Sequence, residues 1–332
     1  MAEGKGVLVL GEVVEGKLAP ISLELLGGGK KLASDLGEEV SIILIGDEVG
    51  KFSSEAIFFG ADKVYMVESP LLKDYQIDSY TSAIEKVVQE VSPRILLMGQ
   101  TFTGRELAPK LAFRLGVGVS TDCTELSIDP DTKELMGTRS VYGGNARAIF
   151  QTLGQPQIAT VRMKAMSPLE KDEGRKGEVK TIDAGITEDV IRTKVLERGK
   201  EEIEGVKLED ADVVVSGGRG MGGPEGFKEL QDLAGILKAA VGASRPPCDN
   251  SWVPSTWQVG LTGKIISPTL YIAVALSGSS QHMAGCSGSK TIVAINKDPE
   301  ANIFKEATVG VVGDWKQIIP PFTKKIKELV SG

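Results

Sequence analysis

Histidine is nearly missing from this chain: His282 is the only one in 332 residues, and Cys123, Cys248 and Cys286 are the only cysteines. No C-x-x-C pair exists, so the donor set for a zinc cage or an iron–sulfur centre is lacking and no metal site is expected. Three widely spaced thiols also make a poor disulfide framework, and they fit a reduced, cytoplasmic protein. Basic excess is absent as well. Lys and Arg number 38 against 45 Asp and Glu, a net charge of -7, which argues against a nucleic-acid partner. The apolar runs are strand-sized, so no membrane span is expected. The opening MAEGKGVLVLGEVVEG lacks the charged, apolar, then small-residue layout of a signal peptide. What remains is an ordinary α/β composition, long enough for two separate cores.

Short apolar runs at 6–12, 40–46, 63–67 and 94–100 alternate with helical periodicity at 20–36, 53–59 and 77–91. Such alternation predicts a parallel sheet with helices on its faces. Residues 99–106 leave a strand and open a helix over 107–115; a capped helix start is the plain expectation, and a weak anion site the alternative. Between 124 and 163 short alternating runs with turn signals, including Tyr142 and 143–145, predict antiparallel strands appended to the first sheet. Residues 167–178 read as an exposed loop, followed by a strand pattern near 179–195. The charged segment 197–210, a solvated helix or an extended linker, marks the expected junction between domains 1–200 and 205–332.

The second domain opens with a strand at 212–216, then Gly218, Gly220 and Gly223 in G-x-G-x-x-G spacing before a helical pattern over 227–241. The acidic residue a dinucleotide fingerprint needs about 20 positions later is replaced by Ser244-Arg245-Pro246, so the motif is incomplete. Apolar runs at 271–276 and 291–295 predict buried parallel strands. Polar groups follow each tip: Arg219, then Ser277, Gly278, Ser279, Ser280, Gln281 and His282, then Asn296, then Asp314. Tips of parallel strands share one sheet edge, and the set suits a long ligand with phosphates, sugar and base. A helix starting near Ser280 would turn its positive end to a pyrophosphate.

The motifs S-G-G-R-G, G-A-S-R, Q-V-G-x-T-G-K, S-G-x-x-Q-H and T-I-V-A-I-N-K-D-P-E-A-x-I-F resemble those of the electron transfer flavoprotein alpha subunit, and G-R-E-L-A-P-K-L-A in the first domain is similar to the same family. The resemblance spans essentially the whole chain. It implies a first domain like the adenine-nucleotide alpha-hydrolases but without their nucleotide, in contact with a beta subunit, and a doubly wound FAD-binding domain behind it. Carried over, the FAD contacts are Arg219, Ser244, Arg245, Gln258, Val259, Gly260, Leu261, Thr262, residues 277–282, Asn296, Asp314 and Trp315. Ser277, Ser280 and Gln281 would serve the pyrophosphate and ribityl chain, and Asp314 with Trp315 the adenosine end. Thr262 would lie near flavin N5 and Arg245 over the ring, and His282 would donate to the C2 carbonyl; these three are the expected catalytic residues. Cationic or donor groups there would favour an anionic one-electron state.

Two departures from the family are visible. Leu261 stands where a polar residue, commonly Gln, is usual, and residues 246–252 replace a stretch that is usually small and apolar. Trp252 and Trp257 either rim a partner surface or pack the loop. The function implied is an electron carrier between acyl-CoA dehydrogenase-type flavoenzymes and an acceptor or donor. A bifurcating variant would use NADH and ferredoxin. A self-contained NAD- or FAD-dependent oxidoreductase and a nucleotide-binding regulatory module are the competing expectations.

Overall fold

The computed structural model describes residues 4–142, 146–197 and 206–331. The expected turn at 143–145 and most of the expected junction at 197–210 fall outside these residues. The chain divides into two compact units, residues 1–140 with 147–199 and residues 141–146 with 200–332. Among the described residues no helix is long and apolar enough to cross a membrane.

The first unit runs β1 (Val7–Gly11), the short pair β2 (Val13–Val14) and β3 (Lys17–Leu18), α1 (Pro20–Leu36), β4 (Val40–Gly46), α2 (Ser53–Phe58), β5 (Lys63–Glu68), α3 (Ile77–Val91), β6 (Ile95–Gly99), α4 (Phe102–Leu115), β7 (Val119–Cys123), β8 (Glu125–Ile128), β9 (Leu135–Val141), β10 (Ala146–Gln151), β11 (Gln157–Val161) and β12 (Glu178–Thr181). Seven of the strands form one sheet in the order β12-β5-β4-β1-β6-β11-β7, with every pairing parallel. Every residue of β1, β4, β6 and β11 is buried, as strands covered on both faces must be. Val9, Ile42 and Leu97 meet Leu25 of α1 on one face; Leu8, Ile43 and Leu96 meet Ile84 and Val87 of α3 on the other.

Two expectations are corrected here. Strand β11 joins the main sheet in parallel between β6 and β7, and β8, β9 and β10 form a separate three-stranded sheet. The reason is burial: Ile158, Ala159 and Val161 are apolar on both faces and need a central position, whereas the exposed alternation of β10 suits a strand with one wet face. Helix α4 also starts at Phe102, ahead of 107, because the Thr101 hydroxyl accepts from the Gly104 N–H at 3.0 Å and caps it.

The second unit runs β13 (Val213–Gly217), α5 (Pro224–Leu237), β14 (Ala240–Ala243), α6 (Arg245–Asp249), β15 (Leu270–Val274), α7 (Ser280–Met283), β16 (Thr291–Asn296), α8 (Ile303–Glu306), β17 (Val309–Val312) and α9 (Trp315–Ser331). Its strands are all parallel in the order β14-β13-β15-β16-β17. The helix expected over 227–241 stops at Leu237, where Lys238 turns left-handed at φ 51° and frees the next residues for β14. Phe227, Leu230 and Leu233 of α5 and Ile319 of α9 cover one sheet face; Met283, Cys286 and Ile303 cover the other. Both units are therefore mixed α/β with a parallel sheet. In the second, the chain reverses direction across the sheet between β13 and β15, and such a reversal opens a crevice beyond the carboxyl ends of the strands.

Candidate functional site

At that reversal the backbones of the β13 and β15 tips press together. The Gly218 N–H donates to the Val274 carbonyl at 2.9 Å. A Cβ on Gly218 would lie 2.2 Å from the Ala275 oxygen, and one on Gly220 would lie 2.9 Å from the Ala275 Cβ. Glycine is thus demanded by close packing of the crevice floor, the role that close backbone approach gives to glycines in a fingerprint loop. Arg219, between them, is exposed at the rim.

From β15 the chain turns through Ser277 and Gly278 into α7. Gly278 has φ +74°, and a Cβ there would meet the Ile303 nitrogen at 2.3 Å. Ser277, Ser279, Ser280 and Gln281 are exposed, while His282 turns inward and is 5% exposed. Its Nδ1 lies 3.0 Å from the Val259 carbonyl and its Nε2 lies 2.8 Å from the Tyr271 hydroxyl. A carbonyl can only accept, so Nδ1 carries the proton and Nε2 accepts from Tyr271. Burial pushes the imidazole pKa down to about 4, which keeps the ring neutral. Both ring nitrogens lie within hydrogen-bond distance of protein groups here, because α7 buries His282 and Met283 on its inner face.

The turn 258–263 lies against α7. Val259 donates its N–H to Ala243 at 2.8 Å, Leu261 donates to the Gln281 carbonyl at 2.7 Å, and Gly260 donates to Lys264 at 3.1 Å. Gly260 has φ +144°, and a Cβ would come 3.0 Å from the Gln281 oxygen. Gln258 Nε2 donates to the Thr262 hydroxyl at 2.9 Å. Leu261 is 63% exposed, a large apolar side chain held outward beside the exposed Thr262.

The remaining expected residues complete the edge. Ser244 precedes α6, and the exposed Arg245 reaches along that helix to Asp249, Nε to Oδ2 at 3.1 Å. At the end of β16, Asn296 Nδ2 donates to the Leu276 carbonyl at 2.7 Å and its Oδ1 accepts from Asp298 N–H at 3.0 Å. Asp314 accepts from the Lys316 N–H at the start of α9, and the Trp315 indole donates to the Gly220 carbonyl. Trp252 and Trp257 pack against the apolar cluster beneath α5. Arg219, Ser244, residues 277–282, Asn296 and Asp314 thus all follow carboxyl ends of strands in one parallel sheet. Two signals were overlooked in the sequence. The phenol of Tyr271 in an otherwise apolar strand demands a polar partner. Glu12, next to the β1 tip, is pushed to about 7 by burial despite its bond from the Thr101 hydroxyl at 2.8 Å. That carboxyl and the Thr101 cap fill the β6–α4 turn, so the capped-start expectation describes it.

These features fit a flavin dinucleotide. The floor is backbone and glycine, exposed hydroxyls and an amide line the wall at α7, and the first N–H groups of a helix lack intrahelical acceptors and favour an anion. Comparison with known proteins agrees. The family model described as Electron transfer flavoprotein domain matches residues 7–187, and that described as Electron transfer flavoprotein FAD-binding domain matches residues 207–287. An electron transfer flavoprotein subunit alpha from Thermoanaerobacterium thermosaccharolyticum is 46% identical, covering 99% of this chain and 100% of the relative. One from Megasphaera elsdenii is 43% identical over 99% of this chain and 98% of its own length. Protein FixB of Azorhizobium caulinodans is 42% identical over 98% of this chain and 90% of its own length. FAD is accordingly the cofactor of the second unit, and the chain belongs to the electron transfer flavoprotein alpha-subunit family.

Proposed function

We propose that this chain pairs with a beta subunit in the cytoplasm and carries electrons between acyl-CoA dehydrogenase-type flavoenzymes and a separate acceptor or donor. The observation that carries the reading is the shared carboxyl edge at the β13–β15 reversal, floored by Gly218 and Gly220 and walled by α7 and the turn 258–263. Bound FAD supplies one- and two-electron chemistry that no side chain of the protein offers. The protein's part is to hold and orient it. Ser277, Ser279, Ser280, Gln281 and backbone N–H groups of α7 serve the phosphates, Arg219 adds a fork of donors, and Asn296 fixes the wall by tethering Leu276. Asp314 and Trp315 serve the adenosine end. Ser244, Arg245, Leu261 and Thr262 serve the ring end, where the turn is pinned through Val259 and Gly260. The first unit, 1–200 in the domain division proposed from sequence, meets the beta subunit.

Among the described residues no general acid–base pair lies on this edge: His282 is buried and neutral, and Asp314 caps α9. This favours a carrier over a self-contained oxidoreductase, whose reaction would need a proton donor at the substrate. The test is assembly with the beta subunit followed by flavin counting and stepwise reduction. One FAD per heterodimer, reduced by a partner dehydrogenase without NADH, is the expected outcome. Two FADs, with NADH oxidation coupled to ferredoxin, would instead establish the bifurcating form. An assembly that binds no FAD would overturn the reading.

A further inference from the structure

The segment just before β13 is fastened to the turn 258–263 at two points, one apolar and one charged. Leu208 is buried and shares an apolar cluster with Val259 and Ile266, which flank the turn. Gly242 makes room for that contact: a Cβ there would lie 3.0 Å from a Val259 methyl and 3.4 Å from a Leu208 methyl. The next residue, Glu209, forms an ion pair with Lys264, Oε1 to Nζ, with the two side chains 25% and 33% exposed. Lys264 closes the neck of the turn. Its N–H donates to the Gln258 carbonyl at 2.7 Å, and its carbonyl accepts from the Gly260 N–H at 3.1 Å. Glu209 is fixed as well, because the Asp210 and Ala211 N–H groups both donate to the Lys207 carbonyl, at 3.2 and 3.1 Å. An ion pair between two fixed backbones, partly withdrawn from water, constrains both segments more than an exposed and mobile pair does.

We propose that Glu209 and Lys264 are positioning residues of the flavin site: their pair latches the neck of the turn 258–263 to the segment before β13, and so fixes where Leu261 and Thr262 meet the ring. The inference rests on the flavin reading of this edge. The tip of the turn is held by the Leu261 N–H on the Gln281 carbonyl at 2.7 Å, and the latch adds the hold at the neck. Breaking it lets the neck shift. Donors carried by the turn then meet the negative charge of reduced flavin less well, which lowers the potential of the bound cofactor. The opposite signs of the two side chains separate this effect from a direct one. By charge alone, loss of the Lys264 cation lowers the potential and loss of the Glu209 anion raises it. By position, both losses lower it.

The test uses the full chain assembled with its beta subunit and FAD, carrying Glu209→Gln, Lys264→Met, both changes together, or the charge exchange Glu209→Lys with Lys264→Glu. Isothermal titration measures FAD binding, and redox titration at saturating FAD measures the potential. Glu209→Gln is expected to lower the potential and to weaken FAD binding about 3-fold, the range of one partly exposed ion pair. Lys264→Met does the same. The double change binds FAD no more weakly than either single change, since each already loses the whole pair, and the charge exchange restores both binding and potential. A raised or unmoved potential in Glu209→Gln overturns the latch, as does FAD binding in the double change that is weakened by the product of the two single effects. Glu209→Gln keeps the size of the side chain, so its sign decides the matter even if Lys264→Met fails to fold. If the unaltered assembly takes up no FAD, the flavin reading falls and takes this inference with it; FAD uptake with an unlowered potential in Glu209→Gln sinks the latch alone.

Discussion

The indole Nε1–H of Trp315 donates to the carbonyl of Gly220 at 3.1 Å, joining the start of α9 to the glycine loop after β13 although 95 residues separate them. Two tips on opposite sides of the β15 and β16 strand ends are thereby held in one arrangement. Trp315→Phe retains most of the packing against α5 and loses the bond. The expected result is FAD binding weaker by about 5-fold, equivalent to about 1 kcal/mol, with little change in fold. Isothermal titration of the assembled protein with FAD measures it.

Asn296 works in the same manner nearer the centre. Its amide donates to Leu276 and its oxygen accepts from Asp298, so one side chain fixes the exits of both β15 and β16. Asn296→Ala removes both bonds and is expected to cost about 1–3 kcal/mol of stability in the second unit. All three tryptophans, Trp252, Trp257 and Trp315, lie in that unit. Denaturant unfolding followed by tryptophan fluorescence therefore reads this unit alone.

The same probe tests His282. Burial lowers its folded-state pKa from 6.5 to about 4, so below 6.5 the unfolded chain binds a proton that the folded chain refuses. Stability from this group is complete above pH 6.5 and is lost as pH falls toward 4, by about 3 kcal/mol in all. Tryptophan-detected unfolding should show this acid limb, and His282→Asn should flatten it.

Glu12 has the opposite sign. Burial raises its folded-state pKa from 4.5 to about 7, so between these values the folded chain keeps a proton that the unfolded chain has released. Its contribution falls as pH rises from 4.5 to 7 and stays low above that. Glu12→Gln preserves an acceptor for Thr101 and removes the charge. It should stabilise the first unit by up to about 3 kcal/mol at pH 8 and by little at pH 5. Hydrogen exchange of β1 and β6 amides measures the difference.

Leu261 offers a test at the ring end. Being 63% exposed, it contributes little to the core, and Leu261→Gln should change stability by no more than about 0.5 kcal/mol. The flavin reading predicts a shift in the reduction potential of bound FAD, measured by redox titration of the assembled protein; an unshifted potential would place Leu261 away from the ring.

Sequence alone determined the architecture because apolar burial leaves a local record. The runs in β1, β4, β6, β15 and β16 are continuous since both faces are covered, and helices α1, α3 and α5 repeat at the spacing that one buried face requires. The polar residues following each strand were legible for the same reason, and the family motifs added the cofactor. Tertiary structure alone decided the partners. Strand β11 joins β6 and β7 in parallel through contacts with no local signature. His282 reads as a loop residue in the sequence, and only the folded chain shows that α7 sets its ring beside Tyr271, 11 positions earlier, and Val259, 23 earlier. Pattern records which residues avoid water, but hydrogen-bond direction depends on how separate segments meet, and only the folded chain brings them together.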